Sequence, residues 1–204
     1  MRVVVVLAHP NRSSLNHAIA DRAITSLHQN GHDVIFHDLY AENFDPILPA
    51  NEMMSGDFVD PQIRNYGDEI ANADGIVVVH PIWWGGMPAI LKGWIDRVFR
   101  PGCVYAFEEV EGGIGVPVGM LKARKIAIFN TENTPLEMSE EMYGDPLDSI
   151  WKKNVFGVCV GRDVFRRVFH GVIMSEDLER KAWLAEVEDH INEFFPAAGM
   201  SQAA

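Results

Sequence analysis

An uninterrupted apolar run, Ile76-Val77-Val78-Val79, constrains the fold of this chain more than any other feature. Apolar residues at every position, instead of at alternate positions, indicate a strand that is buried on both faces. Residues 2–8 (RVVVVLA) have the same character. Strands of this kind occur in parallel sheets that carry helices on both faces, so we predict an α/β fold.

Strand-like and helix-like segments alternate along most of the remaining sequence. Helices are predicted at about residues 14–29 and 61–72, at 88–99, and from Ser175 onward. Residues 102–122 have no strong period and are predicted to be a surface excursion that could cover a site. The predicted strands lie at residues 2–8, 33–39, 75–80, 124–130 and 155–160. This alternation predicts a doubly wound parallel sheet with the strand order 2-1-3-4-5.

The composition limits the possible classes of function. At 204 residues the chain is expected to fold as one domain, residues 1–196, followed by a frayed tail, residues 197–204. A net charge of −12 argues against a nucleic-acid partner, because neutralising phosphates needs a basic face. The two cysteines lie far apart, and every apolar run is too short to span a membrane. We therefore expect a cytoplasmic protein with no membrane insertion.

A polar loop, HPNRSSLN, follows the first predicted strand at residues 9–16. Its side chains and the backbone N–H groups at the start of a helix offer the donors that bind phosphate. The loop has neither GxGxxG nor GxxxxGK[ST] spacing, so it matches no standard nucleotide motif. The alternative interpretation is structural, with Ser13 or Ser14 acting as the N-cap of the helix.

A second loop, HPIWWGGMP, follows the third predicted strand at residues 80–88. We interpret Trp83 and Trp84, beside two glycines, as an aromatic platform for a ligand, and Trp94 in the next helix as core. In the predicted strand order the two loops meet at the switch point, where ligands of open α/β sheets bind. A phosphate cradle beside an aromatic platform fits flavin mononucleotide. No histidine pair has a zinc motif such as HExxH, so we expect no metal.

These residues resemble the flavodoxin-like NAD(P)H:quinone oxidoreductase family, which includes DT-diaphorase, bacterial modulators of drug activity and ancillary subunits of potassium efflux systems. The similarity is strongest at residues 8–18, 38–48 and 80–99. It implies a flavodoxin-like fold that binds FMN, or alternatively FAD. The phosphate end of the flavin would contact His9, Asn11, Ser13, Leu15 and Asn16. The isoalloxazine would contact Pro81, Ile82, Trp83, Trp84 and Gly85, with donors from Asn130, Thr131, Glu132 and Asn133.

The chain departs from this family in two places. After its fourth strand, DT-diaphorase carries TTGG where this chain has Asn130-Thr131-Glu132-Asn133. An acid facing the pyrimidine edge would oppose the reduced flavin anion, so Glu132 is expected to point elsewhere. The tyrosine and histidine credited in DT-diaphorase with stabilising charge are not matched either. Tyr143 is left as the candidate catalytic residue.

The resemblance implies an enzyme that passes a hydride from NADH or NADPH to a quinone-like acceptor by a ping-pong mechanism. Two rival interpretations are a flavin-binding regulatory subunit of a potassium efflux system and a flavodoxin-like electron carrier. Lys92, Asp96 and Arg97 are predicted to form an exposed helix face. Residues 44–54 and 88–99 are expected to carry more apolar surface than one chain covers, which predicts a homodimer.

Overall fold

The computed structural model describes residues 1–55, 58–109, 113, 115–159 and 164–197, and its centre is a five-stranded parallel sheet. The strands in chain order are β1 (Arg2–Leu7), β2 (Asp33–Asp38), β3 (Gly75–Pro81), β4 (Tyr105–Glu108), β5 (Val116–Gly119), β6 (Lys125–Thr131) and β7 (Val164–Phe169). The central sheet has the order β2-β1-β3-β6-β7, so the predicted order of its five strands is confirmed.

Helices connect the strands and cover the sheet. They are α1 (Leu15–Gln29), α2 (Ala50–Ser55), α3 (Pro61–Asn72), α4 (Ala89–Val98), α5 (Leu136–Met142), α6 (Pro146–Ser149), α7 (Phe156–Cys159) and α8 (Asp177–Phe194). A π-helical turn (Ile150–Val155) joins α6 to α7, and a 3-10 turn (Val172–Met174) precedes α8.

Alternate residues of the central strands enter two separate cores. On β1, Val4 and Val6 join the apolar cluster that includes Trp94 of α4. Val3 and Val5 face the other way and join the cluster that includes Ile191 of α8. Because both faces are buried, the strand is apolar at every position, which is the pattern that the sequence displayed.

The fifth strand lies later in the chain than predicted. Residues 155–159 of the predicted strand belong to the π-helical turn and α7, while Val160 lies outside the described residues. Trp151, in the same turn, is fully buried. A short apolar run in a sequence is compatible with a buried helix as well as with a buried strand. Here residues 156–159 form the helix α7. The strand that pairs with β6 is β7 instead.

Two further predictions about the chain between β3 and β6 are wrong. The surface excursion contains an antiparallel hairpin, β4 with β5, and none of its described residues lines the cavity described below. Arg97 is not exposed. The buried Glu52 carboxylate accepts hydrogen bonds from its Nε at 3.2 Å and its Nη2 at 2.8 Å. The predicted frayed tail, residues 197–204, falls outside the described residues from 198 onward.

Glu52 reaches Arg97 because the chain before α2 lies across α4. Gly93 of α4 makes this crossing possible, since a Cβ at that position would overlap Pro46. Phe44 of the crossing chain is buried, and its ring centroid lies 5.6 Å from that of Tyr66 on α3. Leu91, Trp94 and Val98 of α4 are thus buried within the chain itself.

Candidate functional site

A cavity of about 880 Å³ opens at the carboxyl edge of the sheet. Four loops line it, those that follow β1, β3, β6 and β7, together with the connection between α5 and α6. The sheet order places the loops after β1 and β3 side by side, because these two strands are neighbours. The cavity therefore lies at the switch point, where ligands of open α/β sheets bind.

The loop after β1 is organised by Asn11, whose groups are used within the loop. Its backbone N–H donates to His9 Nδ1 at 3.1 Å, and its Oδ1 accepts from the Ser13 N–H at 3.0 Å. Ser14 is the N-cap of α1, because its Oγ accepts from the His17 N–H at 3.3 Å. The capping interpretation is therefore correct for Ser14, while Ser13 caps nothing.

Donors remain at the first turn of α1. The backbone N–H groups of Leu15 and Asn16 bond to no described residue, as is usual for the first turn of a helix. Ser13, Leu15 and Asn16 all line the cavity. Burial lowers the pKa of His9, and this effect outweighs the opposing one of the nearby Asn11 carbonyl oxygen, so the neutral ring is favoured. This end of the cavity can accept an anion through neutral donors and the helix dipole.

Asn16 joins the first loop to the end of β6. It is buried, and its Nδ2 donates to Thr131 Oγ1 at 2.8 Å. Its Oδ1 is also buried but accepts no hydrogen bond from a described residue. An unpaired buried acceptor costs about 1–3 kcal/mol, so the position favours a ligand that carries a donor such as a hydroxyl.

The tryptophans of the second loop form a tight turn at the rim. Trp83 and Gly86 exchange two backbone hydrogen bonds, each 3.0 Å long. The residues between them, Trp84 and Gly85, have φ of 54° and 67°. Positive φ at both central positions is typical of a type I′ turn, and it is strained for a residue as bulky as tryptophan. The Trp84 ring is fully exposed, so this strain serves to present the ring rather than to pack it.

Beneath the cavity, a buried polar network fixes the ends of β3 and β6. His80 is fully buried, and its Nδ1 lies 2.8 Å from the Pro81 carbonyl oxygen. Its Nε2 lies 2.9 Å from Asn130 Nδ2 and 3.2 Å from Trp151 Nε1. Both neighbours of Nε2 are donors, so the proton is assigned to Nδ1. Burial lowers the pKa of His80 to about 4, with a smaller contribution from the Arg166 cation, and the ring is neutral.

The network continues to the described part of the cavity wall through Arg166 of β7. Its Nε donates to Asn130 Oδ1 at 2.7 Å, and its Nη1 donates to Asp145 Oδ2. The Arg166 side chain is 2% exposed, whereas that of Asp145 is 52% exposed. Arg166 therefore orients the Asn130 amide on one side and holds the connection between α5 and α6 on the other.

A carboxylate and an imidazole lie together where the loops after β6 and β7 meet. Glu132 Oε2 accepts from Ser139 Oγ of α5 at 2.9 Å. The same oxygen lies 2.9 Å from His170 Nδ1, although it is out of line with the ring N–H, so this contact is electrostatic. Both residues line the cavity. The Glu132 carboxylate is directed toward Ser139 and His170.

The cavity brings together most of the residues that the sequence analysis selected. Those lining it are His9, Ser13, Leu15, Asn16, Pro81, Ile82, Trp83, Trp84, Gly85, Thr131, Glu132, Asn133 and Tyr143. Asn11 and Asn130 are not among the described lining residues, because one organises the first loop and the other lies in the buried network. Arg166 and His170 also line the cavity but were not predicted, because both depend on the unpredicted strand β7.

The described residues contain neither a candidate metal site nor a candidate membrane-spanning helix. No group of three or more histidine, cysteine, aspartate or glutamate side chains is placed to hold a metal ion. No helix in the described part of the chain is both long and apolar enough to cross a membrane.

Comparison with known proteins returned similar sequences and similar solved structures. An "Uncharacterized NAD(P)H oxidoreductase" of Haemophilus influenzae is 34% identical over 188 residues, 90% of this chain and 91% of that protein. "NAD(P)H dehydrogenase [quinone] 1" of Cavia porcellus is 33% identical over 126 residues, which span 52% of this chain but only 46% of that protein. The crystal structure of Smu.1420 from Streptococcus mutans UA159 superposes with a TM-score of 0.81 at 32% identity, covering 95% of this chain and 100% of that one.

A family model described as "Flavodoxin-like fold" matches residues 1–191. This match spans all five strands of the central sheet and every loop that lines the cavity. The fold predicted from the alternation of strands and helices and the fold of the matched family are the same. The chain therefore belongs to the flavodoxin-like fold family.

Proposed function

We propose that the protein is a flavin-dependent NAD(P)H oxidoreductase that passes a hydride to a quinone-like acceptor. The oxidoreductase class rests on the relatives, which are named NAD(P)H oxidoreductase and NAD(P)H dehydrogenase [quinone]. One observation carries the flavin assignment. Free donors at the start of α1 and the presented Trp84 ring face one cavity from two neighbouring strands.

The residues of the cavity fit the parts of FMN. The first turn of α1 would hold the phosphate through the N–H groups of Leu15 and Asn16 and the Ser13 hydroxyl. The unpaired Asn16 Oδ1 would accept from a hydroxyl of the ribityl chain. Trp83 and Trp84 would flank the ring, and the backbone of residues 131–133 would meet its polar edge. FAD is the alternative, since its flavin half is identical.

When bound, the flavin supplies the hydride chemistry. The chain would orient it, exclude water from one face and leave the other face open. One open face would admit the nicotinamide or the acceptor, but not both. We therefore propose a ping-pong order in which NAD(P)+ leaves before the acceptor binds.

A visible spectrum of the purified protein, with mass spectrometry of the released cofactor, tests the flavin assignment. Initial rates measured over a grid of NAD(P)H and quinone concentrations test the order. We expect a flavin spectrum and parallel double-reciprocal lines, with each substrate inhibiting competitively against the other at high concentration. A colourless protein that does not take up added FMN or FAD would contradict the flavin assignment. Intersecting lines would contradict the ping-pong order.

We also propose that the protein is a cytoplasmic homodimer. Ile47, Met53 and Met54 remain 73%, 61% and 80% exposed, although the chain itself covers α4. Cys103 and Cys159 are free thiols, in keeping with a reducing compartment. Sedimentation equilibrium at micromolar concentration should give twice the 22.8 kDa chain mass, and a single species of that mass would contradict the dimer.

A further inference from the structure

We propose that His170, which the backbone places beside Glu132, is a catalytic acid in this cavity and that its Nε2 donates a proton to the acceptor oxygen. The proposal rests on the proposed function, since it assigns the proton that quinone reduction consumes. It replaces the earlier expectation that Tyr143 has this role.

The backbone places His170 beside Glu132 by extending the β6–β7 pairing beyond both strands. The Glu132 N–H donates to the Phe169 carbonyl at 2.8 Å, and the Val172 N–H donates to the Glu132 carbonyl at 3.0 Å. In addition, the Gly171 N–H donates to the Thr134 carbonyl at 3.2 Å. His170 therefore sits on a fixed strand end, which positions a reacting group better than a free loop does.

The side-chain contacts give the two ring nitrogens of His170 different roles. Nδ1 is fully buried and lies 2.9 Å from Glu132 Oε2. That carboxylate is in turn fixed by Ser139, which is buried in α5. Nε2 bonds to no described residue, and His170 lines the cavity. The nitrogen beside the Glu132 carboxylate is buried, while the other nitrogen remains available to a ligand.

The other histidines at this edge lack an available nitrogen in the middle of the cavity. His80 lies under the floor, with both ring nitrogens in contact with the buried network. His9 lies at the phosphate end, where its Nδ1 is bound to the first loop. Tyr143 is 59% exposed at the rim, and its hydroxyl bonds to no described residue, so nothing in the described structure orients it.

The proton balance of the reaction requires such a donor. A quinone becomes a hydroquinone by gaining one hydride, which NAD(P)H supplies, and one proton. An O–H bond forms on the acceptor as the Nε2–H bond of His170 breaks. The neutral imidazole then regains a proton from the solvent, which closes the proton balance.

The test compares an acceptor that needs a proton with one that does not. The reduced protein is oxidised in a stopped-flow instrument by p-benzoquinone or by ferricyanide, which takes up electrons without binding a proton. His170→Asn keeps an amide near the Nδ1 position but has nothing at Nε2. We expect benzoquinone reduction to slow by about 10²-fold or more. Ferricyanide reduction should stay within about twofold of the wild type.

His190→Asn is the matched control. His190 also pairs with a glutamate, Nε2 to Glu186 Oε1 at 3.4 Å, but it lies on α8 and is not among the described residues lining the cavity. Both rates should be unchanged in this variant. Hydroquinone affinity, measured by quenching of tryptophan fluorescence, gives a readout that needs no turnover, and it should weaken in His170→Asn alone.

Three results would overturn the proposal. Equal slowing with both acceptors in His170→Asn, and again in His170→Gln, would make His170 structural. An unchanged benzoquinone rate in either variant, at wild-type thermal stability, would exclude it as the donor. A wild-type protein that transfers no hydride to benzoquinone would remove the proposed function itself, and that failure is visible before any variant is made.

Discussion

The cavity and the core packed under α3 and α4 use the same types of residue in opposite ways. In that core, Trp94 is fully buried, and His37 has both ring nitrogens bound, Nδ1 to Glu42 at 3.2 Å and Nε2 to Glu69 at 2.7 Å. At the cavity, Trp84 is fully exposed, and His170 has only one nitrogen against a carboxylate. Both nitrogens of His37 serve to hold the fold together, whereas a histidine nitrogen that stays open beside a cavity, on a fixed strand end, is a candidate for binding or catalysis.

The largest difference in the free energy of unfolding is expected between the Trp94→Ala and Trp84→Ala variants. Trp94→Ala should lower the free energy of unfolding by about 3–5 kcal/mol, because it empties a filled core position. Trp84→Ala should change it by no more than about 0.5 kcal/mol, since the ring packs against little. Urea denaturation measures both. Flavin titration should give the reverse ranking, and tight flavin binding by Trp84→Ala would end the role of this ring in the platform.

The neutral His80 beneath the cavity should make the protein sensitive to acid. Its pKa of about 4 in the folded protein lies below its ordinary 6.5, so the unfolded chain takes up the proton first as the pH falls. Stability from this group is therefore complete above pH 6.5 and is lost between 6.5 and 4. The loss is at most about 3 kcal/mol.

Denaturation of the wild type and of His80→Gln at pH 7, 5.5 and 4.5 isolates this effect, because the carboxylates contribute to both proteins. The difference in unfolding free energy should be largest at pH 7 and should shrink toward pH 4.5. A difference that does not depend on pH would show that His80 titrates normally.

The smallest change in the free energy of unfolding is expected at His37, and its dependence on pH is opposite to that of His80. Burial alone would lower its pKa, but the Glu42 and Glu69 carboxylates outweigh burial and raise it. The stability from these pairs is present below the ordinary pKa and is lost as the pH rises through the raised one. His37→Gln should cost about 1 kcal/mol at pH 6, since both carboxylates are partly exposed, and less at pH 9. Quinone reduction should be unaffected, which contrasts with His170→Asn.

The strand order and most of the cavity could be predicted because each rests on local sequence. The runs at β1 and β3 are apolar at every position, and the two loops that follow them are polar or aromatic. β7 could not be predicted in the same way, since its sequence VFRRVF has two arginines at its centre. They are accommodated through Asp145 and Glu186, which come from distant parts of the chain. Missing this strand meant missing His170, which directly follows it.

Gly93 has a consequence for engineering. Replacing a glycine inside a helix by alanine is a common route to a more heat-resistant enzyme, worth about 1 kcal/mol from helix propensity. At Gly93 the added methyl group would collide with Pro46 and lift the crossing chain from α4. The buried contact of Arg97 with Glu52 depends on that crossing. Any thermostabilisation of this scaffold should therefore keep this glycine.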